Sequence, residues 1–307
     1  MRPDIPALVI LLGPTAVGKS RAALGLAMKF AGEIINADSV QVYKGFDIGT
    51  DKPSAEDRQA VPHHLIDTVG PEVQFTAADF VREALIAASG IAGRGRVPFV
   101  VGGSGLYLKA LVDGLFPGPG RDPAVRTALE AEAGEKGLDT LFRRLEEVDP
   151  AYARKVRSRD RVRIVRALEV WSLTGRPISE HFRRTESPVA GVRLHKVGLE
   201  LERAALYARI DERVERMFAR GLLDEVRALL GRGVPESAPP FRALGYRQAL
   251  ACLRGRLSPA EAMVLTKTET RHFAKRQMTW FRKMEGVAWF PASDFPALER
   301  HLEKLLK

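Results

Sequence analysis

Short apolar runs separated by helix-like stretches dominate the first two hundred residues of the chain. Residues 8–12 (LVILL) and 97–101 (VPFVV) are the most continuous runs, and residues 34–37 are a shorter one that leads to an aspartate. Residues 64–67 (HLID) and 194–199 (LHKVGL) complete the set of candidate strands. Apolar strands that alternate with helices are typical of a parallel sheet with helices on both faces. The pattern therefore predicts an α/β fold with a parallel sheet.

The pattern changes after residues 116–120 (FPGPG), whose proline and glycine content predicts a boundary. Residues 122–181 show helical periodicity and no convincing strand. Within them, residues 151–166 contain seven basic residues and one acidic residue, a net charge of +6. This predicts an all-helical insertion with one basic face. The expected divisions are a first part of the core at 1–118, the helical insertion at 119–190, and a return to the core with a basic helical C-terminal region at 191–307.

Composition narrows the class of protein. The 307 residues carry a net charge of +10, so a polyanion such as nucleic acid is the expected partner. Cys252 is the single cysteine, which excludes an intramolecular disulfide and a four-cysteine zinc site. No apolar run approaches the roughly 18 residues that cross a bilayer. We therefore expect a soluble, cytoplasmic protein without a membrane partner.

A complete phosphate-binding loop of the form G-x-x-x-x-G-K-S follows the first strand and precedes a helix. Its glycines allow backbone N–H groups to surround a diphosphate, and the helix N-terminus adds positive potential. Lys19 is expected to neutralise phosphate oxygens, and the Ser20 hydroxyl is the candidate ligand of Mg²⁺. The candidate diphosphate-binding residues are Gly13, Pro14, Thr15, Ala16, Val17, Gly18, Lys19 and Ser20.

Two further polar residues follow predicted strands. Asp38 comes directly after the second strand, and Ser104 follows residues 97–101, where an ATPase would carry a metal-binding aspartate. Ligands of parallel sheets bind at the carboxyl ends of the strands, so both residues are candidate catalytic groups. The alternative is that Asp38 and Ser104 merely cap helices. A second basic stretch near the C-terminus adds candidate phosphate-backbone contacts at Arg271, Lys275, Arg276, Arg282 and Lys283.

Seven sequence segments follow one another along the chain in this order: GPTAVGKS, ADSVQVYKGFDIGTDKP, VPHHLID, VGGSGLYLKAL, RDRVRIVRALEV, FRALGYRQ and AKRQMTWFRK. Together they resemble the bacterial tRNA dimethylallyltransferases over nearly the whole chain. The resemblance implies transfer of a dimethylallyl group from dimethylallyl diphosphate to N6 of adenine 37, within A36-A37-A38 of a tRNA anticodon stem-loop. It also implies a channel through a phosphate-loop core, Mg²⁺ as cofactor, and adenine flipped into the channel. We expect a monomer.

The resemblance assigns roles to individual residues. It makes Asp38 the catalytic base and places Ser104 where the family usually has threonine, near the transferred group and the diphosphate. A diphosphate-binding arginine falls at Arg209 or Arg213, and we assign Arg213. The residues that it implies for tRNA binding are Asp38, Ser39, Val40, Gln41, Val162, Arg163, Ile164, Val165, Arg166, Arg242, Ala243, Leu244, Gly245, Tyr246 and Arg247.

Three other functions are compatible with the sequence. An adenylate isopentenyltransferase would use free AMP or ATP as acceptor, although the long basic insertion favours a macromolecule. A small-molecule kinase also combines a phosphate loop with an aspartate after the second strand. An RNA-binding protein without activity would be expected to have lost positions of the phosphate loop, and every position is intact.

Overall fold

The computed structural model describes residues 5–306, which form two compact units. Residues 5–111 and 189–306 form an α/β unit, and residues 112–188 form a helical unit. The strands are β1 (Ala7–Leu12), β2 (Gly32–Asn36), β3 (His63–His64), β4 (Val97–Gly102), β5 (Arg193–Glu200) and β6 (Val287–Pro291).

The helices follow in chain order and include one short 3₁₀ turn, Pro239–Arg242. The first part of the chain contains α1 (Lys19–Lys29), α2 (Ala55–Ala60), α3 (Ala77–Gly93) and α4 (Gly105–Asp113). The middle part contains α5 (Pro123–Lys136), α6 (Leu138–Val148), α7 (Pro150–Ala153), α8 (Arg161–Thr174) and α9 (Ile178–Phe182). The last part contains α10 (Arg203–Ala219), α11 (Leu222–Gly231), α12 (Tyr246–Leu253), α13 (Pro259–Phe281) and α14 (Phe295–Leu305).

The sheet confirms the predicted α/β class. Its six strands run in the order β3-β2-β4-β1-β5-β6, and every pairing is parallel. Strands β1 and β4 are buried almost throughout, as expected for strands covered on both faces. Because all strands point the same way, the segments that follow β1, β2 and β4 meet at one edge of the sheet. This edge receives the glycine loop, Asp38 and Ser104.

Two strands differ from the sequence pattern. Strand β3 contains only His63 and His64, because Leu65 and Asp67 adopt positive φ values of 62° and 55° that end the extended backbone. The prediction of a strand over 64–67 was therefore wrong in extent. Strand β6 was not predicted; it is a half-buried edge strand that ends in Pro291 and has no clear alternation of buried and exposed positions. Helix α3 begins with a capping box formed by Thr76 and Asp79.

The helical unit has its own apolar core. Leu141, Leu145, Ile164 and Leu168 are all fully buried within it. No strand lies in residues 112–188, in agreement with the purely helical periodicity of this segment. The unit runs from Val112 to Pro188, against the expected bounds of 119–190.

Within residues 5–306, no helix combines the length and apolar character needed to span a bilayer.

Candidate active site

The glycine loop joins β1 to α1 in the strand-loop-helix context that its sequence predicts. Gly18 precedes the helix with a φ of 104°, a conformation that residues with a Cβ rarely adopt. The side chain of Lys19 folds back over the loop, and its Nζ donates to the carbonyl oxygens of Gly13 (2.9 Å) and Pro14 (2.7 Å). The loop therefore holds its lysine in place through backbone carbonyls.

The charge on Lys19 depends strongly on its surroundings. Burial of the ammonium group and the nearby Arg213 guanidinium lower the pKa of Lys19 to about 7, although Asp38 opposes part of this change. An anion bound in the loop would favour the charged lysine and raise this pKa again. The loop is thus suited to gain positive charge when an anionic ligand arrives.

Helix α10 places two arginines against the glycine loop, one helical turn apart. Arg209 donates from Nη1 to the carbonyl oxygen of Val17 at 3.2 Å. Arg213 donates from Nη1 to Thr15 Oγ1, from Nη2 to the Thr50 carbonyl at 3.1 Å, and from Nε to Asp51 Oδ2 at 3.1 Å. Both of the arginines between which the sequence left the choice open therefore contact this region.

The segments that follow β2 and β4 are joined at the same sheet edge. The Asp38 carboxylate accepts hydrogen bonds from the Val40 and Gln41 amides, at 2.8 Å and 3.3 Å, which forms a tight turn and no helix. The Ser104 hydroxyl accepts from the Ser39 amide at 3.0 Å. Ser104 thus connects its own loop to the Asp38 loop, and Asp38 keeps its second carboxylate oxygen outside this turn.

Two cavities of the α/β unit meet at Asp38. The first has a volume of about 550 Å³ and the second about 310 Å³. Both are lined by the same five residues, which mark the place where the cavities adjoin: Thr15, Asp38, Thr50, Arg213 and Phe273. Thr50 had not been singled out from the sequence, although it belongs to the quoted segment that contains GTDKP. Phe273 is an aromatic residue of the basic C-terminal helix that the sequence indicates.

The first cavity combines a cationic region with an apolar one. Its charged lining comes from the glycine loop and α10, through Lys19, Arg209 and Arg213. Its apolar lining comes from the sheet and its flanking segments: Ala23, Ile34, Ile66 and Val101. A ligand that carries a diphosphate at one end and a short hydrocarbon at the other matches both regions.

The second cavity is lined by Ser39, Val40 and Ser104 beside Asp38, and by four members of the segment 242–247. These four are Arg242, Ala243, Leu244 and Arg247. Helix α13 adds Thr266, Thr270 and Arg276. The arrangement brings together most of the residues that the resemblance assigns to the acceptor side.

The structure corrects the expected nucleic-acid contacts at three positions, whose side chains are buried. Ile164 and Val165 are buried in the core of the helical unit, so their side chains are packing residues. Tyr246 is fully buried, donates from its hydroxyl to Glu225 (2.6 Å), and accepts from the Gly49 amide (3.1 Å). Burial and Glu225 raise the pKa of Tyr246. The periodicity of α8 would have identified Ile164 and Val165 as core positions.

Arg166 is half-buried and makes contacts within the helical unit. Its guanidinium donates to Glu169 Oε2 (2.6 Å) and to the carbonyl oxygens of Pro119 and Gly120, and it lies over the Phe116 ring. These contacts join α8 to the segment before α5, which makes Arg166 a structural residue of the helical unit. Arg163 and Val162, by contrast, are exposed on α8.

The donor groups near the loop fit a magnesium ion that also binds a diphosphate. Ser20 lines the first cavity beside Lys19 and offers a hydroxyl oxygen, and Asp38 offers a carboxylate on the same cavity. No cluster of three or more His, Cys, Asp or Glu side chains suited to a metal occurs among residues 5–306. Mg²⁺ commonly uses few protein ligands and completes its shell with phosphate oxygens and water. The lining is compatible with that mode of binding.

The parallel sheet and the glycine loop at its carboxyl edge define an α/β protein of the phosphate-loop type. Over residues 41–284 the sequence matches the IPP transferase family, and the chain belongs to this family. It is therefore a prenyl-transferring enzyme.

Relatives of known sequence support this assignment. The tRNA dimethylallyltransferase of Geobacter metallireducens is 51% identical over 285 residues, 92% of this chain and 91% of that protein. The enzyme of the same name from Carboxydothermus hydrogenoformans is 45% identical over 300 residues, 97% of this chain and 96% of that protein.

Solved structures share the fold. The full-length tRNA isopentenylpyrophosphate transferase of Bacillus halodurans is 37% identical, with a TM-score of 0.72 over 97% of this chain and 96% of that one. A eukaryotic dimethylallyltransferase acting on tRNA is 29% identical, with a TM-score of 0.79 over 94% of this chain and 75% of that one.

Proposed function

We propose that this enzyme transfers a dimethylallyl group from dimethylallyl diphosphate to N6 of adenosine 37 in tRNA and releases diphosphate. The observation that carries the proposal is the meeting of a cationic and apolar cavity with a second cavity at Asp38. The names of the relatives and the residues that match their family agree with this activity.

The donor occupies the first cavity. The glycine loop, Lys19 and Arg213 bind its diphosphate, and Arg209 supports the loop from the Val17 carbonyl. The C5 hydrocarbon lies against Ala23, Ile34, Ile66 and Val101, an apolar lining that keeps water from the allylic carbon. Protein groups that donate hydrogen bonds to the leaving diphosphate stabilise its developing negative charge. They therefore lower the barrier to departure of the diphosphate.

The acceptor adenine enters through the second cavity and reaches Asp38 from the opposite side. Its exocyclic amine is a weak nucleophile, because the lone pair is delocalised into the ring. The N6–C1 bond forms as the C1–O bond to diphosphate breaks, and Asp38 accepts the proton that N6 loses. The turn through Val40 and Gln41 orients this carboxylate. Ser104, which holds Ser39 beside it, is placed near the transferred group.

Mg²⁺ would be held by the Ser20 hydroxyl together with diphosphate oxygens. When bound, it supplies positive charge that stabilises the leaving diphosphate.

The macromolecular part of the acceptor binds to basic surfaces. Arg242 and Arg276 line the second cavity, and Arg163 is exposed on α8 of the helical unit. Such residues contact the phosphate backbone of an anticodon stem-loop without reading its sequence. Arg271 donates from Nε and Nη2 to Asp211, at 2.9 Å and 2.7 Å, and is therefore partly engaged within the α/β unit. We infer a monomer that acts on tRNA in the cytoplasm.

Transfer of radiolabelled dimethylallyl from its diphosphate tests this function, with Mg²⁺ and three separate acceptors: unmodified tRNA with A36-A37-A38, AMP and ATP. The expected result is label in tRNA alone, at A37. The negative control is the same tRNA with guanosine at position 37, which should receive no label. Label in AMP or ATP alone would replace the proposal with nucleotide-level prenylation, and no label in any acceptor would contradict prenyl transfer by these cavities.

A further inference from the structure

Gln277 is a buried polar side chain of α13 for which neither the sequence motifs nor the proposed reaction gives a role. It is 6% exposed and lies among the residues that line the first cavity. Its side-chain amide makes two hydrogen bonds to two different loops. Oε1 accepts from the Thr15 amide at 2.8 Å, and Nε2 donates to the Gly103 carbonyl at 2.8 Å.

These two bonds link the glycine loop after β1 with the loop after β4. Gly103 has no side chain at the point where the Gln277 amide approaches, and a Cβ there would collide with Nε2. The next residue, Ser104, accepts from the Ser39 amide, and Ser39 follows Asp38. A continuous path of hydrogen bonds and adjacent residues therefore leads from Thr15 through Gln277 and Ser104 to Asp38.

We propose that Gln277 is a positioning residue that sets the distance between the phosphate loop and Asp38, and so aligns the diphosphate donor with the base. The proposal rests on the proposed function. An amide suits this position because it offers one acceptor and one donor, which match one N–H and one C=O. A side chain that lacks either group leaves one of these buried backbone groups without a partner. Misplacement of the loop by a fraction of an ångström reduces the rate of a step that requires close alignment.

The substitution Q277E gives a test with an internal control. A protonated carboxyl group carries one donor and one acceptor in nearly the same shape as the amide, whereas a carboxylate has no donor and repels the Gly103 carbonyl. Relative to wild type, we expect kcat of Q277E to fall about tenfold or more near pH 8 and to recover to within about threefold near pH 6. Wild type, measured at the same two pH values, is the reference for each variant.

Two variants complete the design. Q277M has a similar length and no hydrogen-bonding amide, so its kcat should fall about tenfold at both pH values. Q59E makes the same chemical change at an exposed position of α2 and should match wild type throughout. Affinities for tRNA and for inorganic diphosphate should stay within about twofold of wild type in every variant. The proposal is overturned if Q277M keeps the wild-type kcat.

Hydrogen exchange of the loop amides gives a readout that does not depend on catalysis. At a single pH, the Thr15 amide should exchange slowly in wild type and at least about tenfold faster in Q277M, because its acceptor is gone. Unchanged protection of Thr15 would contradict the proposal whatever the activity. Absence of transfer by the wild-type enzyme would instead contradict the proposed function, so the two failures are distinguishable.

Discussion

Arginine side chains have different roles in the two units of this enzyme. In the α/β unit, Arg213 is bonded to Thr15, Thr50 and Asp51, yet it still lines both cavities. In the helical unit, Arg166 shares the fully buried carboxylate of Glu169 with Arg126. The comparison shows that a basic run does not identify ligand-binding residues until the partners of each arginine are known.

The partners explain the difference. Asp51, on the surface side of Arg213, is 44% exposed, so this ion pair is open to water and to a competing anion. Glu169 is 0% exposed and receives the Arg126 guanidinium, the Arg166 guanidinium and the Asp122 amide. Burial alone would raise the pKa of Glu169. These hydrogen bonds lower the pKa by a larger amount, so it lies below its ordinary value. Arg166 is therefore held by a buried anion that it shares with Arg126.

The largest expected effect is that of D38N in the α/β unit. Asparagine keeps an oxygen for the Val40 and Gln41 amides but cannot accept a proton from the adenine amine. Loss of a general base lowers the rate by about 10²–10⁴-fold, so single-turnover transfer should fall by about a thousandfold. Filter binding should show tRNA affinity within about threefold of wild type. Parallel losses of tRNA affinity and turnover would move Asp38 to a structural role.

E169Q should produce the largest effect in the helical unit, on stability and not on chemistry. Removing the anion leaves two guanidinium groups without charge compensation, which should cost about 2–4 kcal/mol in the free energy of unfolding. Because the folded pKa of Glu169 is lowered, its stabilisation is present above its ordinary pKa and is lost as the pH falls through the lowered value. Urea unfolding should therefore show a difference from wild type at neutral pH that shrinks only below about pH 4. A wild-type midpoint for E169Q would refute the structural role.

The pH dependence of diphosphate binding should reveal Lys19. Below about pH 7 the lysine of the free enzyme already carries its proton, whereas above it the proton must be taken up on binding. The affinity for inorganic diphosphate should therefore fall by up to about tenfold per pH unit above about pH 7, in excess of the change seen for K19M. The pH profile of K19M contains the titration of diphosphate without that of Lys19, so the difference between the two profiles reports Lys19. Identical pH profiles for the two proteins, measured by calorimetry, would rule out this proton uptake.

The smallest effect separates two arginines of α8. R163A removes an exposed side chain, so tRNA affinity should weaken about threefold to tenfold and the salt dependence of binding should drop by up to about one unit. R166A removes a structural side chain and should reduce the free energy of unfolding by about 1–3 kcal/mol. Salt titration of tRNA binding and urea unfolding, applied to both variants, make the distinction. A larger salt effect for R166A than for R163A would reverse the assignment.

Local sequence predicted the phosphate loop well, because eight consecutive residues carry the glycines, the lysine and the serine that the loop requires. The parallel sheet was also predictable from its buried apolar strands, and the edge strand β6 was missed because it is short and half-buried. The family resemblance implied a channel, but the residues that line the cavities were not predictable from local sequence. Gln277 contacts Thr15 across 262 positions of the chain, and such a contact leaves no pattern in a single sequence.

We propose that the two cavities, which meet at Asp38, receive different substrates. Substitutions that fill one cavity at a time test it: Ile66→Trp in the apolar lining of the first, and Ala243→Trp in the second. Equilibrium binding of dimethylallyl diphosphate and of tRNA should be measured on both variants and on wild type. Ile66→Trp should weaken the binding of dimethylallyl diphosphate at least about tenfold and leave tRNA binding unchanged, and Ala243→Trp should do the reverse. Loss of the same substrate in both variants would contradict it.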